Sequence, residues 1–447
     1  MAAVQAWSSR FGFLMASIGF AVGLGNIWRF PYVTGENGGS AFVIVYLVFA
    51  FGIGVPILMA EIMLGRRGGM TPPNSMGEVA ALCDRSRSWS GVGYLNLVTA
   101  FSILIGYGVV AGWVLFYLLQ AISGGFSNIS PKQSTLNFNN MLGDITTLIF
   151  WTVVALGLAC AIIYAGVQKG IERAVTVLMP LLFVLLIGLA VFNVFAGGMG
   201  QALSYLFEPD FSKLSADMLL AAIGQAFFSI GVAMAGMMMF GAYLPKEVSI
   251  GRSAFIIVTA DTLVALLAGL VIFPMVFNNN LDPSGGAGLI FQTLPVAFAH
   301  MPGGMVVGIL FFLLLSVAAV TSVVGLCEPV AAWLCERFQW TRPRAAVTLW
   351  VVLVICSLLS VLSYNVWSDV SLFGLSLNAA LDYFPNQIFL PLGGLMIALF
   401  AGWRLNRAMA SEELGLGDSV GFTVWYNAIR YLVVPAVALI LITGVAG

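Results

Sequence analysis

The chain has 447 residues, of which 60% are hydrophobic and only 8% are charged, and its formal net charge is −1. This composition is typical of a polytopic helical membrane protein, and the absence of any basic run argues against a nucleic-acid partner. The five cysteines show no metal-binding or disulfide spacing, and the segment Met1 to Arg10 shows neither a basic leader nor a cleavage site, so we expect no signal peptide.

Eleven apolar runs are long enough to cross a bilayer, which takes on the order of 20 residues each. We call them spans 1 to 11, and they fall roughly at residues 11–33, 41–64, 91–122, 147–165, 174–195, 217–244, 253–277, 304–335, 345–363, 376–403 and 424–444. The sequence therefore predicts an all-α membrane protein, a single transporter-like domain over residues 1–447.

Basic residues mark every second connection between spans. The basic connections hold Arg66, Arg67, Arg85, Arg87, Lys169, Arg173, Lys246, Arg252, Arg337, Arg342, Arg344, Arg404 and Arg407, whereas the alternate connections hold only Lys132 and Lys213. The positive-inside rule then predicts a cytoplasmic N-terminus, and an odd number of spans puts the C-terminus outside.

Span 1 contains a stretch that is unsuited to a lipid-facing helix. Three glycines lie between residues 19 and 25, and Asn26, Arg29 and Pro31 follow. Glycine weakens a helix by roughly 1 kcal/mol per residue, and a charge at bilayer depth costs several kcal/mol. A helix can break in the membrane only where the freed backbone groups face protein or a wet cavity. We therefore interpret this stretch as an unwound hinge beside a binding site, in preference to a glycine-packed helix crossing.

Span 6 is interrupted in a similar way by glycine and serine within residues 224–236. Two interrupted spans five apart predict inverted repeats, at about residues 8–195 and 217–403, with 424–444 as an extra helix. Ala233 and Ala235 stand in the second interruption, and we expect them to limit its unwinding. The long connection at residues 278–304 is expected to fold back as a helical hairpin.

Other polar residues at membrane depth are candidates for function. Asp261 lies within span 7 with no basic residue in that span, which favours a cation site or a proton site. Ala318, Thr321 and Ser322 share one face of span 8, where they suit sodium ligation, although hydroxyls bonded back to their own helix explain them equally well. Tyr107 can donate to a substrate carboxylate. Glu61 is either paired with the nearby Arg66 and Arg67 or a hydrogen-bond acceptor for the unwound backbone of span 1.

Residues 19–31, the loop Lys169-Gly170-Ile171-Glu172-Arg173, residues 225–229 and Thr321-Ser322 resemble the neurotransmitter:sodium symporter family. More narrowly, the chain resembles the bacterial amino-acid branch with eleven spans. The resemblance implies a five-plus-five inverted repeat with broken helices 1 and 6, and sodium-coupled symport of an amino acid by alternating access across the bacterial inner membrane.

The resemblance also implies a set of site residues. One sodium site would use the Ala21 carbonyl with Asn26, Ser229 and Asp261, and a second would use Gly19, Val22, Ala318, Thr321 and Ser322. The substrate carboxylate would meet the amides of Leu24 and Gly25 and the Tyr107 hydroxyl, and its amine would meet carbonyls of spans 1 and 6. Other substrate contacts would come from Ala21, Gly23, Ser229 and Ser322. An apolar pocket for the substrate side chain would be formed by Phe20, Ile103, Gly231, Met234, Gly325 and Leu326, with Phe228 above it.

Gly23 favours an amino acid over an amine, because monoamine carriers of this family have an aspartate at that position. The apolar pocket predicts a large hydrophobic or aromatic side chain. We expect no chloride requirement, because Asp261 would supply a fixed negative charge beside the first sodium.

The chain departs from the family pattern at its gates. Val4 replaces the arginine of the cytoplasmic gate, so its expected partner Glu336 lacks a mate. Asn378 replaces the outer-gate aspartate, and we assign that role to Asp382, opposite Arg29. A proton-coupled carrier of the same fold is the alternative function; a channel or an enzyme is disfavoured, because we find no continuous polar stripe and no nucleophile–base pair.

Overall fold

The structure is a computed structural model, and it describes residues 6–279, 281 and 288–446. Its long helices follow the predicted spans. Span 1 comprises Arg10–Ala21 and Gly25–Glu36, span 6 comprises Ala216–Ser229 and Gly236–Ala242, and the other spans are Ser40–Gly68, Arg87–Ile122, Ile145–Tyr164, Val167–Ala196, Ile250–Asn278, Gly304–Phe338, Arg342–Ser363, Leu377–Arg404 and Val420–Val445.

Shorter elements lie in the connections. The helices are Pro72–Leu82, Pro131–Gly143, Met199–Phe207, Phe211–Lys213, Leu289–Thr293 continued by Leu294–His300, and Arg407–Leu414. Strands Ser371–Leu372 and Leu375–Ser376 form a small antiparallel hairpin before span 10. The hairpin of helices expected at residues 278–304 is described only as the single helix 289–300; residue 280 and residues 282–287 lie outside the described part.

Within the described residues, nine helices are long and apolar enough to cross a membrane, or ten when the two halves of span 1 count as one. Span 6 is not in this count because its break leaves helices of only 14 and 7 residues. The all-helical membrane class is thus confirmed, and eleven crossings remain our interpretation, with span 6 as the additional one.

The two halves of span 1 meet at an angle of 48°. The first half ends at Ala21, and the following Val22 adopts φ −75° and ψ 101° instead of helical angles. Gly23 is required at the bend, because a Cβ atom built there would lie 2.3 Å from Ser322 Oγ and 2.8 Å from the Tyr107 hydroxyl oxygen. The predicted hinge in span 1 is therefore confirmed, and a side chain at its centre would displace Ser322 and Tyr107.

Span 6 unwinds fully between its two halves, contrary to the expectation that two alanines would limit the break. Gly231, Ala233 and Ala235 all have positive φ, at 72°, 62° and 62°. Such a conformation costs a residue with a Cβ atom roughly 1–2 kcal/mol. Part of this cost is offset by Glu61, whose buried carboxylate accepts a hydrogen bond of 3.0 Å from the amide of Ala233.

Glu61 thus supports the break in span 6, and both sequence-based interpretations of this residue were wrong. Its position in span 2 orients it toward a segment 172 residues further along the chain. Arg66 and Arg67, its expected partners, instead pair with Glu413, at 2.6 Å and 3.4 Å.

The end of the bundle where the described chain begins is closed. Trp7 is buried, and its Nε1 donates to the Phe240 carbonyl at 3.1 Å. The Glu172 carboxylate accepts from the Ser8 amide at 2.9 Å and from the hydroxyls of Ser8 and Ser9 at 2.6 Å and 2.9 Å. These contacts attach the start of span 1 to the rest of the bundle.

The same end contains a buried ion pair. Arg342 at the start of span 9 donates to both carboxylate oxygens of Glu328 in span 8, at 2.8 Å and 2.9 Å. Tyr243, directly after span 6, donates to the same carboxylate at 2.7 Å. Glu328 is completely buried, so three spans are joined at one charged group.

Candidate functional site

The two helix breaks meet at a buried cluster of polar side chains. Asn26 from span 1, Ser229 from span 6 and Asp261 from span 7 are each at most 2% exposed. Asn26 Nδ2 lies 3.0 Å from Ser229 Oγ and 2.7 Å from Asp261 Oδ1, and Ser229 Oγ donates to Asp261 Oδ2 at 2.7 Å. Asn26 is therefore in direct contact with two residues more than 200 positions further along the chain, as the family resemblance implied.

Asn26 also stabilises the bend itself. Its Oδ1 accepts a hydrogen bond of 3.1 Å from the amide of Gly23, which the break deprives of a helical partner. Gln225 of span 6 donates to the Gly25 carbonyl at 3.0 Å. The unwound backbone is thus held by side-chain amides, which explains how it persists at membrane depth.

The Asp261 carboxylate carries the only formal charge in this cluster. It receives hydrogen bonds from Asn26 and Ser229, and Tyr46 lies 3.5 Å from its Oδ2. Within the described residues, no lysine, arginine or histidine nitrogen comes within 4.0 Å of it. A buried carboxylate that lacks a basic partner fits a bound cation. Asp261 and Ser229 offer oxygens to such an ion, whereas Asn26 directs its Nδ2 toward Asp261 and its Oδ1 toward the Gly23 amide.

Residues of the second predicted sodium site also lie close to one another. Ser322 of span 8 lies with its Oγ 3.4 Å from the carbonyl oxygens of both Phe20 and Val22, and a Cβ built on Gly19 would lie 3.4 Å from Thr321 Cβ. The Thr321 hydroxyl bonds back to its own helix, at 3.0 Å from Val317 O and 3.1 Å from Ala318 O. Its oxygen keeps a free lone pair in that arrangement, so hydrogen bonding within the helix does not exclude ligation.

Tyr107 lies directly at the span 1 break. Its hydroxyl oxygen accepts a hydrogen bond of 3.0 Å from the amide of Leu24. The Leu24 amide and the tyrosine hydroxyl therefore meet at the break, and both the Tyr107 hydroxyl and Ser322 Oγ lie beside Gly23. This group of neutral donors suits a carboxylate.

Phe20 takes a position that the sequence did not indicate. Cβ atoms built on Gly231, Gly236 and Gly325 would lie 2.9 Å, 2.6 Å and 2.3 Å from its ring. The space that the glycines leave is therefore filled by this ring, and Gly236 belongs to the group although only Gly231 and Gly325 were predicted. Ile103, Met234 and Leu326 are buried at 9%, 4% and 3% exposure.

A cavity of about 570 Å³ opens above the breaks. It is lined by residues of spans 1, 3, 6 and 10, including Leu24, Gly25, Ile103, Tyr107, Phe228, Arg29 and Asp382. The Arg29 guanidinium lies 4.5 Å above the Phe228 ring centroid, and this ring in turn packs on Gly25. The cavity thus reaches the span 1 break directly beside Phe228.

The predicted gate residues are placed as follows. Arg29 and Asp382 face the same cavity, yet within the described residues no ion pair of 4.0 Å or less joins them. Asp382 instead accepts from Asn386 at 2.8 Å. Glu336 accepts from the Thr71 amide at 3.0 Å and from Asn74 at 2.9 Å, and Val4 lies outside the described residues.

Sequence reasoning missed the contacts of Glu328. A carboxylate within the apolar sequence of span 8 is itself a signal, but its partners come from the ends of two other spans and no local pattern connects them.

Two broken helices around buried oxygen ligands, with a cavity that leads to them, define an ion-coupled membrane transporter. The profile of the Sodium:neurotransmitter symporter family matches residues 4–133 and 131–446. The chain belongs to this family, and its recognition from sequence motifs is confirmed. Membership places it among sodium-dependent transporters and not among enzymes.

Similar proteins agree with this assignment. Two uncharacterized sodium-dependent transporters, YhdH of Bacillus subtilis (strain 168) and one from Haemophilus influenzae, are each 33% identical to the chain; the matches cover 97% and 98% of this chain and 96% and 97% of the relatives. The crystal structure of MhsT in complex with L-phenylalanine matches at a TM-score of 0.91 and 40% identity, over 98% of this chain and 99% of that chain.

Proposed function

We propose that the protein takes up a neutral amino acid, with a large hydrophobic or aromatic side chain, together with sodium ions by alternating access. The observation that carries this proposal is the contact between the two breaks: a buried carboxylate and neutral oxygens lie beside backbone amides suited to a carboxylate. The breaks can therefore hold a cation and a zwitterion next to each other.

Coupling follows from this proximity. A sodium ion among the Ala21 carbonyl, Asn26, Ser229 and Asp261 would touch the carboxylate of a substrate held by Leu24, Gly25 and Tyr107. Each ligand then lowers the free energy of the other's binding, and this reciprocity makes sodium binding increase the affinity for substrate. The second ion, among Gly19, Val22, Ala318, Thr321 and Ser322, would join spans 1 and 8.

Substrate class is argued from Gly23. Gly23 carries no acidic side chain to neutralise an amine, and Ser322 and Tyr107 would have to shift to admit one, because a Cβ atom there would lie 2.3 Å from Ser322 Oγ. The site therefore lacks an acidic partner for a simple amine and favours a zwitterion. The binding of L-phenylalanine to MhsT, which is 40% identical to this chain, supports an aromatic amino acid.

Closure of the cavity would complete the uptake step. Phe228 lies between the cavity and the span 1 break, and Arg29 and Asp382 line the cavity beyond it. We propose that Phe228 covers the bound amino acid and that Arg29 and Asp382 approach each other above it. Release then requires the opposite end, closed here by Trp7 and Glu172, to open toward the cytoplasm of a bacterial inner membrane. The N-terminus would be cytoplasmic and the C-terminus outside.

Chloride is not needed in this scheme. The Asp261 carboxylate already supplies a negative charge beside the first sodium position, so a mobile anion is redundant.

Uptake into proteoliposomes tests the proposal. A panel of labelled amino acids is offered with an inward gradient of sodium, of potassium or of protons, with sodium gluconate replacing sodium chloride in one arm. We expect concentrative uptake of phenylalanine, tryptophan or leucine with sodium and either anion. Asp261→Asn should abolish sodium-dependent uptake, while Asp217→Asn, an acid outside the site, should not. Uptake driven by protons alone would favour the proton-coupled alternative and contradict the sodium proposal.

A further inference from the structure

A second charged region lies far from the transport site, where spans 10 and 11 approach the connection between them. Arg407 begins the short helix of that connection, and Arg430 lies within span 11. Together with the aromatic rings of Trp403, Phe422 and Tyr426 they form what we call the arginine–aromatic patch. Its residues come from span 10, the connecting helix and span 11.

Both guanidiniums in the patch rest on aromatic faces. Arg430 Cζ lies 5.0 Å from the Tyr426 ring centroid and 5.1 Å from that of Trp403. Arg407 Cζ lies 5.5 Å from the centroids of both Phe422 and Tyr426. Aromatic contacts of this kind fix the guanidinium planes but leave their charge uncompensated.

The patch has no acidic partner in the described part of the chain. No Asp or Glu oxygen there lies within 4.0 Å of Arg404, Arg407 or Arg430, whereas Arg66, Arg67, Arg87 and Arg342 all have one. In addition, Arg430 Nε is buried and has no hydrogen-bond acceptor among the described residues. Two cations that share the Tyr426 ring therefore repel each other, and one of them keeps a donor unused.

The surroundings of the patch point to the bilayer. Val424 and Tyr431, on the same helical stretch, expose 62% and 69% of their surface, and Trp403 exposes 41%. The basic connections assign this end of the spans to the cytoplasmic leaflet, where anionic lipids concentrate. At this membrane boundary, the unpaired arginines suit the anionic headgroup of a phospholipid, and the exposed apolar side chains beside them suit its acyl chains.

We propose that the arginine–aromatic patch binds the phosphate headgroup of an anionic phospholipid, with the acyl chains along the exposed faces of spans 10 and 11. A phosphodiester oxygen between Arg407 and Arg430 would accept from both guanidiniums and reduce their mutual repulsion. Guanidinium geometry permits two parallel hydrogen bonds to one phosphate. The Nε–H of Arg430 then gains an acceptor.

Native mass spectrometry and thermal unfolding of the purified full-length protein test this site. Phosphatidylglycerol is the probe, phosphatidylcholine tests for the negative charge, and sn-glycerol 3-phosphate tests for a headgroup without acyl chains. Arg407→Gln with Arg430→Gln removes the patch. Arg85→Gln with Arg252→Gln removes equal charge from exposed positions in other basic connections and is the matched control.

Each arginine near an anionic surface contributes about fivefold in affinity, so the patch variant should bind phosphatidylglycerol roughly thirtyfold more weakly. The control variant should retain wild-type binding and a wild-type rise of the unfolding midpoint with phosphatidylglycerol. Should the patch variant fold poorly, Arg407→Gln alone changes an exposed residue and should still lose about fivefold. Equal losses in patch and control variants, or equal binding of phosphatidylcholine or glycerol phosphate, would overturn the proposal.

Discussion

Replacement of Arg342 by methionine should be the most destabilising single change at the closed end of the bundle. Methionine preserves most of the apolar stem but leaves the Glu328 carboxylate without its cation. Glu328 is fully buried, while the Arg342 side chain is 15% exposed. Loss of one partner of a buried ion pair costs about 3–5 kcal/mol, because the remaining charge is uncompensated.

The converse change, Glu328→Gln, should cost less, about 1.5–3 kcal/mol, the contribution of a hydrogen bond to a charged group. Arg342 can then turn toward water, and the glutamine oxygen still accepts from the Tyr243 hydroxyl. The double variant should be more stable than Arg342→Met alone, because it no longer contains an unpaired buried carboxylate.

The measurement is the unfolding midpoint of the purified variants, combined with their uptake. The matched control is Arg344→Met, at a neighbouring arginine whose guanidinium stacks on Trp340 at 4.5 Å. We expect this variant to lower the free energy of unfolding by less than about 1 kcal/mol, because exposed cation–π pairs contribute little. If Arg342→Met proves more stable than Glu328→Gln, or the double variant is the least stable of the three, the argument from burial is wrong.

Three further changes test the transport site and its supports. Ala235→Gly should stabilise the protein by about 1 kcal/mol, measured as a higher unfolding midpoint, because glycine tolerates the positive φ; Ala111→Gly, in a regular helix, should do the opposite. Gly23→Ala should abolish substrate binding in a scintillation proximity assay, since the methyl group overlaps Ser322 Oγ, and binding at wild-type affinity would contradict the close packing. Phe228→Ala should increase the rate of substrate dissociation, because the site loses its cover and Arg29 loses a cation–π contact of about 0.5–1 kcal/mol. An unchanged dissociation rate would show that the ring does not close the site.

Much of the fold could be predicted because each membrane helix is identified by its own local sequence. Apolar length sets the spans, and the glycines with Asn26 mark the first break, since lipid tolerates freed backbone groups only beside other polar groups. The cost of a lone carboxylate marks Asp261 as a functional residue, but the meeting of Asn26, Ser229 and Asp261 was expected only from the family resemblance.

Other features depend on contacts that leave no local signal. Alanine is a strong helix former, so its left-handed conformation at Ala233 and Ala235 could not be expected without Glu61, which supports the break from another span. The sequence shows that Glu61 is an intramembrane charge but not which backbone it faces. The same holds for Phe20, whose rotamer decides whether the space beside three glycines is open or filled.

The ring of Phe20 has a consequence for how transporters of this kind diversify. Shortening that one side chain would open an apolar space beside Gly231, Gly236 and Gly325 without moving any backbone, because the ring alone fills it. One substitution at position 20 would thus make room for a larger substrate. We therefore expect related transporters that differ in substrate size to differ first at this position.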